Sequence, residues 1–115
     1  MTRHKTVLVS FPFDDLTSTK VRPAVCLTDP IGKYSHVVVA FISSKVFADL
    51  LETDIVLEST RRDFALTGLR VPSTIRLHRL TTVYTGLIRR ELGKLSSDLQ
   101  QEVMSKLRML FGINP

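Results

Sequence analysis

Arg22 stands directly before Pro23, where a run of polar residues ends and apolar sequence begins. The following proline restricts Arg22 to an extended backbone, so that its side chain starts from a fixed direction. A guanidinium stays charged and offers fork-like donors that can bind two oxygens of one phosphate group. This pair therefore suits the binding of an oxyanion and the stabilisation of charge that develops on it.

Two further groups could take part in such chemistry. Ser43 and Ser44 end an apolar run, where a hydroxyl can hold a phosphate oxygen or can simply cap free backbone groups. His78 follows Arg76 by two residues, which places both side chains on one face of a strand. Imidazole exchanges a proton near neutral pH, so His78 is a candidate general acid or base. The alternative is an exposed histidine on a polar face.

The sequence gives no sign of a metal site or a reactive thiol. His4, His36 and His78 are scattered, and no zinc-ligand spacing occurs among them. Cys26 is the single cysteine, which excludes an internal disulfide and fits a reducing compartment. It lies within an apolar run, where a small buried hydrophobic residue is expected. We predict neither a metal nor another cofactor.

Short segments of β pattern position these residues. Alternation and β-branched runs predict five strands, at Thr6–Phe11, Pro23–Thr28, His36–Ser43, Thr53–Leu57 and Ser73–Tyr84, the last being one bent strand or a strand pair. The run at 36–43 is apolar nearly throughout, as in a central strand covered on both sides. Residues 13–21 and 59–69 are predicted loops, and 45–51 a single helical turn or short helix. In the last strand Ile75 and Leu77 should point inward, and Arg79 breaks the alternation, which indicates a bulge.

The C-terminal segment changes to a helical period. Apolar residues recur at three- and four-residue steps, at Leu99, Val103, Met104, Leu107, Leu110 and Phe111. Ser97 with Gln100 forms a predicted capping box, and Gly112 suits the position just after the helix. The apolar stripe is either core or a dimer seam. The predicted fold is mainly β: a small, strongly bent sheet or barrel of about five to seven short strands with a C-terminal amphipathic helix, in a single domain over residues 1–115.

Composition limits the class of protein. The chain has 115 residues, 43% of them hydrophobic, which is enough for one modest core. Its net charge of +5 favours a polyanionic partner such as nucleic acid, although many basic domains bind none. No apolar run approaches the roughly 20 residues of a membrane span, and no leader cleavage site is evident. We expect a soluble, cytoplasmic protein that does not contact membrane.

Four segments in order, VLVSFPFDDLTSTKVRPAVCL, VVVAFISSK, STIRLHRL and LSSDLQQEVMSKLRMLFG, resemble the MazF/PemK family of bacterial toxin endoribonucleases. The resemblance covers nearly the whole chain. It implies a homodimeric SH3-like barrel that cuts single-stranded RNA without a metal ion. It also implies that a cognate acidic antitoxin silences this activity.

The resemblance also implies roles for particular residues. The catalytic group would comprise Arg22, Ser43, Arg76 and His78, and the RNA-binding group Thr17, Ser18, Lys20, Ser44, Lys45 and Arg70. The chain departs from the family pattern at three of these positions. His78 stands where plasmid-borne members have the Asp of an Arg-x-Asp pair, Ser43 replaces a Thr, and Lys45 a frequent Gln.

Two non-cutting alternatives remain. Toxins of the CcdB type share the fold and bind a protein target, but they act through C-terminal residues that end in Trp, and this chain has no Trp. A degenerate relative that only binds RNA or an antitoxin is the second alternative. Cleavage of single-stranded RNA separates both from a nuclease.

Overall fold

A computed structural model of the protein describes residues 2–11, 20–45 and 47–114. Six strands and one helix form in this order: β1 Lys5–Phe11, β2 Lys20–Cys26, β3 His36–Ser43, β4 Asp54–Leu57, β5 Ser73–Tyr84, β6 Ile88–Lys94 and α1 Ser97–Phe111. Short 3₁₀ turns, Ala65–Thr67 and Thr85–Leu87, flank β5. The strands make one antiparallel sheet in the order β4-β5-β3-β2-β1-β6. The predicted mainly β fold with a C-terminal helix is confirmed.

Both faces of the sheet are buried. One core lies beneath the helix, where Leu99 and Val103 pack with Val25, Ile42 and Leu77. A second core lies on the other side of the central strands and contains Val7, Val9, Ala24, Cys26, Val37, Val39 and Val83. Strand β3 contributes to both cores, which confirms a central strand covered on both sides. Burial raises the pKa of Cys26 to about 11, as expected for an inert, buried thiol.

Helix α1 confirms the predicted amphipathic helix but not its cap. Ser96, not Ser97, is the N-cap residue, because the Ser96 hydroxyl accepts a hydrogen bond from the Leu99 N–H at 3.1 Å. Gly112 ends the helix in the left-handed conformation, as predicted. Met104 and Phe111 of the predicted apolar stripe are exposed at 40% and 60%. The stripe is therefore only partly core.

Two local predictions are wrong, and one strand was missed. The described residues of 45–51 form no helix, and the Leu51 N–H donates to Asp54 Oδ2 in place of a backbone carbonyl one turn earlier. Strand β2 begins at Lys20 and ends at Cys26, since Lys20 pairs with Phe11 of β1. Strand β6 was not predicted at all, because at an exposed edge its charged residues hide the alternation.

In the described part of the chain, no helix has both the length and the apolar character that a membrane crossing requires.

Candidate active site

Strands β2 and β3 separate at the end where Arg22 and Ser43 lie. Their ladder joins only Ala24–Cys26 to the segment 39–41, although both strands continue further. Continuing the same register would place Pro23, which has no N–H to contribute, opposite Ile42. It would place Arg22 opposite Ser43. The two predicted residues therefore lie just beyond the end of the ladder, and both line one cavity.

A small cavity of about 60 Å³ occupies this place. The described residues that line it are Arg22, Phe41, Ile42, Ser43, Phe47, Arg76 and Arg79. Because one water needs about 10–15 Å³ of such volume, the cavity has room for about five atoms of that size, as in a phosphate group. Three of these lining residues are arginines, which favours a compact anion as the occupant.

Arg76 is held by a carboxylate from the neighbouring strand. Asp54 lies directly opposite it in the β4–β5 ladder. The Nε–H of Arg76 donates to Asp54 Oδ1 at 3.1 Å, and Nη2 donates to Oδ2 at 3.0 Å. The Arg76 guanidinium also lies over the Phe47 ring, 4.0 Å from its centroid. The fork and the stacked ring together fix the plane of the guanidinium.

Asp54 remains ionised although its side chain is fully buried. Burial by itself would raise the pKa of this carboxyl. The hydrogen bonds from Arg76 and from the Leu51 N–H, together with the Arg76 charge, outweigh burial and lower the pKa. The ion pair with Asp54 therefore persists at neutral pH and holds Arg76, which lines the cavity.

The predicted bulge in β5 is confirmed and decides which side chains reach the cavity. On β3 only Phe41 separates the two parts of the ladder, while β5 has four residues, Arg76–Arg79, over the same step. The alternation of faces is lost there, so Arg79 lines the cavity together with Arg76. His78 is exposed and is not among the described residues that line the cavity. It lies close enough to Asp54 for its charge to help lower the pKa of that carboxyl.

Ser43 has the predicted strand-end cap, and its phosphate contact stays a prediction. Its Oγ accepts a hydrogen bond from the Lys45 N–H at 3.2 Å, which is the expected strand-end cap. It also lines the cavity beside Arg22. The Lys45 carbonyl accepts from Thr74 Oγ1 at 2.8 Å, which ties this turn to β5, while the lysine residue itself is exposed.

The predicted RNA-binding residues do not form one group. Ser44 and Arg70 line a second cavity of about 330 Å³, whose other walls include Leu8, Pro23, Leu69, Val71, Arg90 and Leu92. Lys20 is exposed at the start of β2 and belongs to neither lining set. Thr17 and Ser18 lie outside the described residues. Ser44 and Pro23 are the chain neighbours of Ser43 and Arg22, but the two lining sets share no residue.

Sequence reasoning missed three residues of the site. Asp54 and Phe47 gave no signal, because their link to Arg76 depends on strand pairing and on the path of the 45–53 segment. Arg79 did give a signal, the break in alternation, but this was interpreted only as a change in backbone geometry.

Solved structures confirm the fold. The Mycobacterium tuberculosis toxin MazF-mt6 is 19% identical and superposes with a TM-score of 0.74, over 96% of this chain and 99% of that one. MazE-MazF from Deinococcus radiodurans gives 18% identity and a TM-score of 0.74, covering 99% and 97%. An endoribonuclease in complex with its cognate antitoxin, from a mycobacterial species, gives 11% and 0.72, covering 100% and 98%. No curated protein matches by sequence.

Structural likeness at such low sequence identity shows the fold alone. The family is assigned by a sequence profile. The profile describes the PemK-like, MazF-like toxins of type II toxin-antitoxin systems, and it matches residues 2–111. The match includes every described residue of both cavities. The chain belongs to this family of PemK-like, MazF-like toxins.

Proposed function

We propose that the protein is the toxin of a type II toxin–antitoxin pair and a sequence-selective endoribonuclease that cuts single-stranded RNA without a metal ion. The observation that carries this proposal is the convergence of Arg22, Arg76 and Arg79 with Ser43 on one phosphate-sized cavity. Relatives described as a MazF toxin and as an endoribonuclease support it.

The proposed reaction uses the RNA as its own nucleophile. The ribose 2′-oxygen attacks the adjacent phosphorus, the bond from phosphorus to the 5′-oxygen breaks, and a 2′,3′-cyclic phosphate and a 5′-hydroxyl result. The 2′-hydroxyl proton passes to His78, which later releases it to solvent, and the leaving 5′-oxygen takes a proton from water. Negative charge increases on the non-bridging phosphate oxygens as the 2′-oxygen attacks.

Each residue of the cavity has a part in this scheme. Arg22 and Arg76 donate to the phosphate oxygens on which charge develops, where one well-placed donor is worth about 3 kcal/mol. Ser43 holds a further oxygen, and Arg79 supplements the positive charge. His78 is assigned the proton transfer because it follows Arg76 on β5 and is exposed to an incoming ribose.

Selectivity and regulation are assigned to the surfaces around this cavity. The second cavity, with Ser44 and Arg70, is assigned the binding of another nucleotide of the RNA. Lys20 and Lys45 add positive charge for the RNA backbone. An acidic antitoxin segment would compete for the same basic surface, and relatives solved as toxin–antitoxin complexes support such a partner. We further propose a homodimer, with the exposed Phe111 as one contact.

The test is incubation of the purified protein with a long single-stranded RNA in EDTA. We expect discrete fragments that carry 5′-hydroxyl and cyclic phosphate ends. Arg22→Ala should abolish them. Arg89→Ala, which removes an exposed arginine from β6, is the matched control and should cut normally. RNA or antitoxin binding without any fragments would instead identify a non-cutting binding module.

A further inference from the structure

Asp54 is the one charged residue that is buried among those that the structure describes. A buried charge is costly unless it is paired and fully hydrogen-bonded, so its retention needs a physical reason. Its partner is Arg76, which lines the phosphate-sized cavity. The reason should therefore lie in what the carboxylate does to this arginine.

The fork leaves Arg76 able to bind a second anion. A guanidinium carries five N–H groups, and Asp54 occupies the Nε–H and one N–H of Nη2. Both N–H groups of Nη1 and the second of Nη2 remain for other partners. Because Arg76 lines the cavity, donors that the carboxylate does not use are available on that side.

Asp54 is itself held from three directions. It pairs with Arg76 across the β4–β5 ladder, its Oδ2 accepts from the Leu51 N–H at 2.9 Å, and its backbone carbonyl accepts from Lys106 Nζ at 2.8 Å. The Phe47 ring stacks against the Arg76 guanidinium. A side chain with many rotamers is thereby reduced to one orientation before any ligand arrives.

We propose that Asp54 is a positioning residue: its buried carboxylate fixes the Arg76 guanidinium in the orientation that meets the scissile phosphate. This inference rests on the proposed nuclease function. Asp54 does not act as the proton acceptor, because both of its oxygens already accept hydrogen bonds and its side chain is wholly buried. It therefore acts on the RNA only through Arg76.

The experiment compares Asp54→Asn with Asp63→Asn. Asp63 also accepts two hydrogen bonds from one arginine, Arg61. It lies beside the start of the helix, however, and lines neither of the two cavities. For Asp54→Asn we expect the single-turnover cleavage rate to fall about 10- to 100-fold, as when an oriented donor is lost. RNA affinity should change less than threefold. Asp63→Asn should cut at the wild-type rate, with both variants assayed well below their melting temperatures.

A double-mutant cycle separates positioning from a merely structural role. Arg76→Met preserves the volume of the side chain while removing its donors. If Asp54 acts through Arg76, adding Asp54→Asn to Arg76→Met should change the rate no further. If the double variant cuts at least tenfold more slowly than Arg76→Met alone, the proposal is wrong. Should Arg76→Met fail to fold with an unpaired Asp54, the decision comes from the Arg76 Nε–H resonance of folded Asp54→Asn. Positioning predicts that this resonance shifts or broadens, and an unchanged resonance overturns the proposal.

The outcomes also distinguish this inference from the proposed function. Wild-type protein that cuts while Asp54→Asn cuts equally well would overturn the role of Asp54 and leave the nuclease assignment intact. Wild-type protein that cuts no RNA would overturn the nuclease assignment. In that case the test is binding of a 2′-deoxy RNA. This binding should perturb the Arg76 Nε–H resonance of the wild type but not that of Asp54→Asn. Equal perturbation in the two proteins would refute the inference.

Discussion

Asp63 links the 59–69 segment to helix α1, so the free energy of unfolding should depend on whether its carboxyl is ionised. Asp63 accepts from Arg61 Nε at 2.9 Å and Nη2 at 3.3 Å, and from Ser96 Oγ at 2.5 Å. Ser96 is the helix cap, so one carboxylate joins the segment to the start of α1. The Arg61 and Ser96 hydrogen bonds lower the pKa of Asp63 from 3.8 to about 2.

The lowered pKa of Asp63 sets the size of its contribution to the unfolding free energy and the direction in which that contribution changes with pH. At 1.36 kcal/mol per pKa unit, a drop from 3.8 to about 2 is worth about 2.4 kcal/mol of unfolding free energy. Because 28% of Arg61 and 17% of Asp63 are exposed, solvent screening should reduce this to about 1–2 kcal/mol. A depressed carboxyl pKa stabilises the fold at pH values above 3.8. The contribution is lost as the pH falls through about 2, and about half of it should remain at pH 3.

Asp63→Asn removes this contribution. We expect its unfolding free energy to lie about 1–2 kcal/mol below that of the wild type at pH 7, or about 4–8 °C in Tm for a domain of this size. Urea unfolding at pH 7, 5, 4 and 3 measures the difference, which should shrink by about half at pH 3. Glu102→Gln is the control, because Glu102 lies 3.8 Å from Arg61 and is more exposed. A difference that is the same at pH 7 and pH 3 would refute the reasoning.

Four predictions concern the proposed activity. Arg22→Ala should slow single-turnover cleavage by about 10²-fold or more. Arg22→Lys should slow it nearly as much, because an ammonium cannot reproduce the guanidinium fork. Near-wild-type rates for both variants would exclude a catalytic role for Arg22. Ser43→Ala should lose about tenfold, as for one weaker donor, and Ser43→Thr almost nothing; equal losses would indicate packing instead. His78→Ala should cut about 10²-fold more slowly at neutral pH while His78→Asp remains active, and an alanine variant with the wild-type rate makes His78 a surface residue. Antitoxin and RNA binding, followed by fluorescence anisotropy, should weaken steeply as salt rises; indifference to salt contradicts a basic groove that includes Lys20 and Lys45.

Local patterns were sufficient to predict most of the elements. A continuous apolar run predicted β3 and an alternating pattern predicted β5, each with its bounds, since β3 is buried on both faces and β5 mainly on one. The helix followed from its own period and from Gly112. These features depend on residues that are near each other in the sequence, which a single chain records directly.

The site could be predicted only in part, because its completion depends on pairing between distant residues. Arg22 and Ser43 were visible as an Arg-Pro step and a strand end. Asp54 is 22 residues from Arg76 and meets it only through the β4–β5 register. Likewise, Arg79 lines the cavity only because of the bulge, and the pairing of that bulge with Phe41 of β3 is not specified by any local pattern.

Two interruptions of regular pairing create the cavity. A continuous β2–β3 ladder would bring Arg22 and Ser43 to ordinary cross-strand distance and leave no space between them. An unbulged β5 would turn Arg79 to the face opposite Arg76. The proline step ends the first ladder and the bulge rotates the second strand, so three arginines converge at one point. Convergence of like charges is unfavourable, and the buried Asp54 offsets part of it. A bound phosphate would offset more, which is why this arrangement of arginines favours an anionic ligand.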